Sequence, residues 1–486
     1  MEAKGFLHSL NNDIRPVSRS KFVDYIIELD NYKKDHPNCF SRIEKEYFQR
    51  LKGEFRDDLA GESIEVKKNF HEPHFYSLRK KNVSHLFIDL LAGYSSKIQF
   101  NHKISEEIYQ PYYGSIIRGS FNNIHFYSDN RIYSEWGRDT YIQHYNASQG
   151  YPVNTSRDST SATWDVSKSY FCFTIRNINF LFGREKVKWG PSKFGSLMFS
   201  GLAPDFDQLQ LKINLFPFTF IWLHGSLRSD ISPKWISSHR LAISLTDRVD
   251  IGLHESVIYG DRNLELAYLN PVIPYLIAEH TLGDKDNVSL GFDFNINLMY
   301  GFKIYGELLI DDLFAPWELF SDYWGNKFAV NIGTFWIDPL LMNDCDLRME
   351  YTRVEPYVYS HRKSVNVFEN YNFCLGSFLQ PNSDCLIFEF RKFLDSFLHY
   401  KMKYYYSRHG EGNRREPHKD SDGNTKKFLA GIVEKYNKIS TGISGEIKRD
   451  LRFDCDIAYV KADNYLNAVQ NNKKWWEFTA KININW

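Results

Sequence analysis

The chain has 486 residues, a length that fits two or three soluble domains or one large closed sheet. Its 60 basic and 60 acidic residues balance, so neither a basic field nor an acidic tail is present and no nucleic-acid partner is expected. No apolar run approaches the roughly 20 residues that a membrane-spanning helix needs, which excludes helical membrane proteins. Aromatic residues are frequent, with 31 Tyr, 38 Phe and 11 Trp.

Residues 15 to 55 have a helical pattern that separates them from the remainder. Phe22, Ile26 and Leu29 have helical spacing in a first helix, and Ser41 with Glu44 forms the capping box of a second. The apolar face of the second helix comprises Ile43, Tyr47, Leu51 and Phe55. Such a pair is too small to be stable alone, so we expect it to pack against the rest of the chain. The amino end, MEAKGFLHSL, lacks the pattern of a secretory signal, which indicates a mature or trimmed start.

From about Ser84 the pattern changes to a period of two. Between Val288 and Gly301 every even position is apolar, whereas the odd positions include Ser289, Asp293, Asn295 and Asn297. The same alternation occurs around Leu209 to Leu215, Ile304 to Asp311, Leu347 to Thr352 and Phe453 to Tyr459. Each segment therefore predicts a strand with one apolar and one polar face.

Two classes of fold have such strands, a soluble β-sandwich and a transmembrane β-barrel. Alternating segments of about ten residues match a tilted membrane strand better than the usual five or six residues of globular sheets. Aromatic residues near the segment ends, such as Tyr300, Tyr404, Tyr459 and Trp476, fit the two interfaces of a membrane. The sequence therefore favours an all-β transmembrane barrel with a small N-terminal α-helical element.

The carboxyl end alternates in the same way from Trp476 to Trp486 and finishes on an aromatic residue. This ending resembles the terminal strand that the insertion machinery of bacterial outer-membrane barrels recognises. We therefore expect the bacterial outer membrane as the location, with outer-membrane lipid and that machinery as partners. We also expect Trp486 to serve assembly rather than function.

Several motifs, in order along the chain, resemble the capsule assembly Wzi family. The longest is GREKVKWGPSKFGSLMFS, Gly183 to Ser200, with Gly183, Trp189, Gly190 and Pro191 as its signature residues. The others are RPVSR at Arg15, the Asn270-Pro271 pair, ELLIDD at Glu307 and EYTRVEPYVYSH at Glu350. One departure is Gly201-Leu202 before Ala203-Pro204, where family members often have Asn-Asn, so no role of that asparagine pair is carried over.

The resemblance covers nearly the whole chain and implies about 18 antiparallel strands with a small periplasmic helical bundle. Together with the change of period near Ser84, this assigns residues 1 to 83 to the periplasmic helical segment and its linker, and residues 84 to 486 to the barrel. The resemblance also implies a lectin-like function in which the protein binds or guides a capsule or exopolysaccharide and helps to attach it to the cell. The identity of the polymer is not implied.

Charged residues on the polar faces are expected inside so wide a barrel, because a charge that faces lipid costs about 2–4 kcal/mol at the midplane. We assign Arg184, Glu307, Asp311, Arg348 and Glu350 to the lumen, where pairing across the barrel is favoured over ligand contact. A glycosidase dyad of Glu307 with Asp311 or Asp312 is disfavoured. Adjacent strand residues point to opposite faces, so at most one of the two aspartates shares the lumen with Glu307.

Other candidate chemistry is weaker. The run His71-Glu72-Pro73-His74 suggests a metal site, but Pro73 breaks helical spacing, so no metal is expected. A Cys374–Cys385 disulfide is conceivable, although lone thiols are favoured. Trp189-Gly190-Pro191 predicts a turn or loop, in which Trp189 either stacks on a sugar or anchors the loop.

Counting strands backwards from the carboxyl end places Ser407 to Lys438 in one long extracellular loop. We predict that its basic residues contact an acidic polysaccharide, since an arginine fork binds a carboxylate bidentately. The candidates are Arg408, His409, Arg414, Arg415 and Lys419. A merely solvated or lumen-plugging loop is the alternative.

The sequence therefore favours a non-catalytic, cofactor-free outer-membrane protein that binds polysaccharide. The first alternative is a porin or solute channel, which would need an open lumen. The second is an outer-membrane hydrolase or acyltransferase, although no convergent set of catalytic residues has the required spacing.

Overall fold

The computed structural model describes residues 2–7, 14–59, 64, 74–80, 84–101, 103–138, 161–313, 316–448 and 450–485. Eighteen antiparallel strands close into one barrel, which confirms the predicted fold class. The strands are β1 Ser84–Asn101, β2 Lys103–Phe121, β3 Ile124–Arg138, β4 Ser161–Ile175, β5 Ile178–Glu185, β6 Phe206–Leu215, β7 Phe218–Leu227, β8 Lys234–Thr246, β9 Val249–Gly260, β10 Asn287–Met299, β11 Phe302–Asp312, β12 Lys327–Ile337, β13 Cys345–Val354, β14 Ser383–Phe393, β15 Leu398–His409, β16 Glu434–Lys448, β17 Leu451–Asp463 and β18 Lys473–Asn485.

Each strand pairs with its neighbour in the sequence, and the last strand closes the ring on the first. In that closing pair Trp476 lies opposite Phe100 and Asn485 opposite Leu91. Closure leaves no strand edge exposed to lipid, where unpaired backbone groups would be costly.

The alternation seen in the sequence is arranged with the apolar face outwards. On β10 the polar Asp293 and Asn295 are buried, whereas Leu290 and Phe292 on the other face are 37% and 36% exposed. The same holds on β11, where Glu307 is buried and the apolar Leu308 and Ile310 on the other face are partly exposed. Exposed apolar and buried polar faces are the inverse of a soluble sandwich and are typical of a membrane barrel.

The two ends of the barrel differ in the length of their connections. At one end, the short-turn end, strands are joined by tight turns such as residues 122–123, 176–177 and 216–217. At the other, the long-loop end, the connections are much longer and include residues 186–205, 261–286, 355–382 and 410–433. No helix among the described residues is long and apolar enough to cross a membrane.

Helices α1 (Arg19–Asp35) and α2 (Arg42–Glu54) pack against the short-turn end. The Ser41 hydroxyl donates to Asp344 at 2.9 Å, and Arg50 forms an ion pair with Glu446 at 2.7 Å. The predicted capping box is present, since Ser41 and Glu44 each accept the other's backbone N–H. The predicted apolar faces are partly wrong, because Phe22 and Tyr47 are 37% and 38% exposed.

The segment before β1 contains more than helices. Ile14–Arg15 forms a short strand that pairs with Lys188–Trp189 inside the barrel, and Tyr76–Lys80 pairs with the start of β1. We call residues 14–18 the strap, because they connect the helices at the short-turn end to the interior. All six cysteines, Cys374 and Cys385 included, are free thiols. Trp486 lies outside the described residues, so its role in assembly stays a prediction.

Residues 261–286, the flap, fold down over the outer wall of the barrel. The flap contains two short helices, α3 (Leu266–Leu269) and α4 (Tyr275–Thr281). Tyr268 and Tyr275 are fully buried and pack with Val257 and Tyr259 of β9. The outward face of this part of the wall is therefore covered by protein.

A buried carboxyl group gives the flap a pH dependence. Burial, and then the nearby Asp284, raises the pKa of Glu279 to about 7. Because this pKa lies above that of an unfolded glutamate, protonation stabilises the flap as the pH falls from 8 to 5, and the stability is lost as the pH rises through 7. We expect faster hydrogen exchange in the flap at pH 8 than at pH 5, after correction for intrinsic rates.

The variant Glu279→Gln should remove this dependence, because the amide oxygen still accepts the backbone N–H of Asp286, now 3.0 Å from Glu279. Arg262 forms an ion pair with Asp286 at 2.6 Å, and Tyr268 donates a hydrogen bond to the same carboxylate. An equal pH dependence in the variant would show that another group is responsible.

Candidate functional site

Two of the long connections fold into the barrel instead of lying over it. Residues 186–205 and 355–382, together the plug, share one apolar cluster with inward-facing residues of the wall such as Ile221, Leu223 and Ala329. The plug contributes Trp189, Phe199 and Phe368 to that cluster, all at most 1% exposed. The lumen on the side of β6 to β14 is therefore packed like a protein core.

Two buried carboxylates of the wall hold the first plug segment. Glu307 accepts the backbone N–H groups of Ser192 and Leu197 at 3.0 and 2.7 Å. Glu350 accepts those of Lys193 and Phe194 at 2.6 and 3.2 Å, and also the Ser192 hydroxyl at 2.8 Å. Hydrogen bonds to charged groups are worth about 1.5–3 kcal/mol each. The two glutamates thus fix the path of a segment that has little regular structure.

Gly190 permits the close approach of this segment to the wall. A Cβ atom at Gly190 would lie 2.5 Å from Oε1 of Glu307, and its φ of +117° disfavours any side chain. Gly183 at the end of β5 is equally constrained, since a Cβ there would lie 2.3 Å from the carbonyl oxygen of Ser169. Two signature glycines therefore serve backbone packing.

Trp189 anchors the plug and is not placed to stack on a sugar. Its side chain is fully buried, with its ring edge-on to Phe199 at 4.9 Å and to His254 at 6.2 Å. It also lies in a two-residue strand between Ile14–Arg15 and Phe199–Ser200, whereas a turn or loop was predicted. Pro191 follows this strand and is buried.

The second plug segment is tied to the first and to the wall. The Tyr359 hydroxyl donates to the carbonyl of Leu197 at 2.7 Å, and the backbone N–H of Ser200 donates to Leu375 at 2.8 Å. Asp311 accepts the backbone N–H of Tyr359 at 2.9 Å. The carboxylates of Glu307 and Asp311 are thus both used by plug backbone, which leaves them poorly suited to acid–base chemistry.

Arg348 lies in the lumen beside Glu350, with its guanidinium 4.2 Å from the ring of Phe335 and 2.9 Å from the Tyr305 hydroxyl. Arg184, in contrast, is not a lumen residue. It shares the outward face of β5 with Phe182, which is 67% exposed, and forms an ion pair with Asp207 at 2.7 Å. The prediction for Arg184 is wrong because outward and inward positions alternate, and Arg184 has the parity of Phe180 and Phe182.

The predicted extracellular loop is shorter than Ser407 to Lys438. β15 continues to His409 and β16 begins at Glu434, so the connection, here the basic loop, spans residues 410–433. Arg408 is a strand residue on the outward face, where it binds Asp384 at 2.5 and 3.0 Å. His409 ends β15, with Nε2 3.1 Å from the carbonyl of Gly412. The loop assignment of these two residues is therefore wrong.

Arg414 and Arg415 of the basic loop both bind one carboxylate of the plug. Arg414 lies 2.8 Å from Glu369 and is 15% exposed, whereas Arg415 lies 2.7 Å from the same group and is 53% exposed. Burial alone would raise the pKa of Glu369, but hydrogen bonds from Arg415 and then Arg414 outweigh it and lower the pKa. Lys419 is exposed at the far side of the loop.

The basic loop also meets residues 316–326, the aromatic loop, which the sequence analysis did not single out. The ring of Trp324 stacks on His418 with centroids 3.8 Å apart, and Tyr357 of the plug meets His418 edge-on at 5.3 Å. An isolated bridge joins Tyr323 to Thr425. Trp317 and Phe320 on the same loop are 85% and 72% exposed. The sequence did contain a signal for this surface, because four aromatic residues lie close together in residues 316–326, between β11 and β12.

No group of three or more His, Cys, Asp or Glu side chains within the described ranges is arranged to hold a metal ion. His71 to Pro73 lie outside those ranges. His74 lies beside β1, with Nδ1 2.7 Å from Asp89 and its ring stacked on Phe87.

The model of one protein family, described as capsule assembly protein Wzi, matches residues 98–481. The chain belongs to the Wzi family. The match extends from within β1 to within β18, so it includes the plug, the flap with Asn270 and Pro271, and the basic loop.

Among solved structures the chain resembles Escherichia coli Wzi, described as an outer-membrane, carbohydrate-binding β-barrel involved in group 1 capsule assembly. The TM-score is 0.61 at 13% identity, with 99% of this chain and 95% of that one covered. Pseudomonas aeruginosa OprD gives 0.48 at 10% identity, with 82% and 94% covered. Acinetobacter baumannii OccAB1 gives 0.48 at 9%, with 83% and 96% covered. No curated protein sequence matches the chain. As a Wzi-family barrel, the chain is an outer-membrane protein.

Proposed function

We propose that this protein binds a capsule or exopolysaccharide at the long-loop end of its barrel, and that it does so without catalysis or a cofactor. The observation that carries the proposal is the surface formed by the aromatic loop and the basic loop. It combines the Trp324–His418 stack, the exposed Trp317 and the cationic Arg415 and Lys419. Flat rings and cations are the groups that contact the apolar faces and carboxylates of acidic sugars.

The orientation that this requires is the usual one for outer-membrane barrels, with short periplasmic turns and longer extracellular loops. It puts α1 and α2 in the periplasm and the aromatic and basic loops outside. Outer-membrane lipid and the insertion machinery are the further partners that we propose for a barrel of this topology. Membership of the Wzi family, and the carbohydrate binding of its Escherichia coli member, support a carbohydrate ligand.

The plug supports binding over the two alternatives. A solute channel needs an open lumen, whereas the β6 to β14 side of this one is filled by apolar side chains. A hydrolase needs a carboxyl pair with access to substrate, whereas Glu307 and Glu350 are both buried and accept hydrogen bonds from the plug. We therefore assign to these carboxylates the structural role of holding the plug.

The aromatic part of the surface is tested by replacing two rings, Trp317→Leu and Trp324→Leu. The double variant should retain at least about tenfold less cell-bound polysaccharide relative to shed polysaccharide, since truncating one anchoring ring commonly costs about 2 kcal/mol and each step of about 1.4 kcal/mol is tenfold. The matched control is Trp476→Leu, because Trp476 is 44% exposed on the outward face of β18. Equal retention in the double variant and the control, with normal heat-modifiable migration in both, would contradict the proposal.

The two arginines should behave differently. Arg415→Gln should weaken binding of an acidic polymer several-fold and reduce its salt dependence, because its half-exposed guanidinium is accessible to a carboxylate. Arg414→Gln should instead loosen the basic loop, since Arg414 is mostly buried against Glu369. Binding isotherms at two salt concentrations, with hydrogen exchange of residues 410–433, separate the two effects. Identical behaviour of both variants would argue against a direct contact by Arg415.

A further inference from the structure

A cavity of about 540 Å³ lies between the flap and the outer wall of the barrel. Its volume falls within the range of about 300–1,000 Å³ that small-ligand pockets have. The lining of the wall side is almost entirely apolar and includes Phe220, Leu241, Leu253, Leu290, Phe292 and Leu308.

The cavity opens on the lipid-facing side and not into the lumen. Leu253, Leu241 and Phe292 are outward residues, 51%, 36% and 36% exposed, on three adjacent strands. Their inward neighbours, such as Gly252 and Asp293, face the plug side of the wall. The wall of the cavity is thus continuous with the surface that the membrane covers.

The flap forms the other side of the cavity through Pro271 and Val272. The flap also exposes large apolar side chains of its own, with Leu266, Val272 and Ile277 exposed by 77%, 78% and 61%. Exposed leucine and isoleucine on a helix-containing segment at the outer wall are suited to contact with lipid and not with water.

Two polar side chains beneath the flap, Glu255 and His239, contact its residues directly. Glu255, on the outward face of β9, accepts the backbone N–H groups of Tyr275 and Leu276 at 2.8 Å each. His239 lies 3.0 Å from the same carboxylate and stacks on Tyr275. Leu253 precedes Glu255 by two residues on β9 and lies about 7 Å nearer the short-turn end. Glu255 and His239 therefore line the long-loop end of the cavity, and its apolar lining continues from Leu253 towards the short-turn end.

We infer that this cavity binds an acyl chain of an anionic lipid in the outer leaflet. The apolar lining and its continuity with the membrane surface select an acyl chain, and charge selects the head group. Lys285 at the end of the flap and Arg362 and Lys363 of the plug are exposed cations at the long-loop end, and Arg362 donates to the carbonyl of Asp284. This arrangement sets the acyl chain below the flap and the anionic head group beside these cations.

The test is native mass spectrometry of the protein after exchange into lipid-free detergent, with extraction and identification of retained lipid. The wild type should keep one anionic lipid per barrel. Leu253→Trp should fill the cavity and reduce the retained lipid by at least about tenfold. The matched control is Ile439→Trp, since Ile439 is 51% exposed on the outward face of β16, as Leu253 is on β9.

A second variant protects the test against misfolding of the first. Val272→Asp puts a charge at the flap side of the cavity and should give the same loss of lipid. Because Val272 is 78% exposed, the substitution leaves the folded core unchanged. The pair Arg362→Gln and Lys363→Gln should also reduce retention, whereas Lys474→Gln, another exposed cation of the long-loop end, should not. A wild type without lipid, a neutral retained lipid, or equal retention in Leu253→Trp and Ile439→Trp would overturn the inference.

Discussion

Replacing both plug-holding carboxylates, as Glu307→Ala plus Glu350→Ala, should raise the single-channel conductance of the barrel several-fold in planar bilayers. Together the two side chains accept four backbone N–H groups of the plug, and Glu350 also accepts the hydroxyls of Ser192 and Tyr305. A buried donor that loses its acceptor costs about 1–3 kcal/mol, so several lost acceptors exceed what a short irregular segment can tolerate. The plug should therefore leave its position while the wall, which has its own hydrogen bonds, stays closed.

The control for this experiment is Glu477→Ala. Glu477 is also a buried, inward-facing carboxylate, but it pairs with Lys438 of β16, two strands away in the wall, and not with the plug. It should leave the conductance near that of the wild type. An unchanged conductance in the double variant, with normal heat-modifiable migration, would mean that the apolar cluster alone retains the plug.

The alternation of the strands was sufficient to predict the barrel. On β10 every even position from Val288 to Leu298 is apolar and every odd position from Ser289 to Asn297 is glycine or polar, so a one-residue slip would bring the polar side chains to the lipid. The capping box of α2 was equally readable because Ser41 and Glu44 are three residues apart. Local patterns fix local structure, and the barrel is a sum of local hairpins.

The plug could not be predicted in the same way. The partners that give Glu307 and Glu350 their role, such as Ser192, are 115 and 158 residues away in the sequence. Periodicity placed these carboxylates on the inward face but carried no information on what they would meet there. The same limit applies to Arg414. The sequence predicted that its charge binds a ligand, but in the structure that charge is paired with Glu369, 45 residues away.

The error at Arg184 has a different cause, because the signal was present. Phe180 and Phe182 share its parity on β5, and lipid-facing positions are where phenylalanine is expected. The carboxylate that compensates the outward charge, Asp207, lies directly opposite on β6. An outward ion pair near the end of a strand avoids most of the cost that applies at the midplane.

We expect the strap to couple the helices at the short-turn end to the plug inside the barrel. Ile14 is 2% exposed within the apolar cluster of the plug, and its strand pairs with Lys188–Trp189. On the other side of the strap, Ser18 caps α1, which packs with α2 at the short-turn end. One continuous stretch of chain thus connects the helices at the short-turn end to the segment that supports the proposed polysaccharide-binding surface.

Ile14→Asp should therefore loosen the plug from the side of the short-turn end. The lost packing of a buried isoleucine costs about 2–5 kcal/mol, and an unpaired charge in the apolar cluster adds to it. We expect faster hydrogen exchange in residues 187–200 and weaker polysaccharide binding. The matched control is Ile26→Asp, since Ile26 is also fully buried, but in the separate cluster between the helices. It should speed exchange in α1 and α2 and leave the plug protected. If both variants loosen the helices and neither affects residues 187–200, then the strap is a passive link and the plug is held from the wall alone.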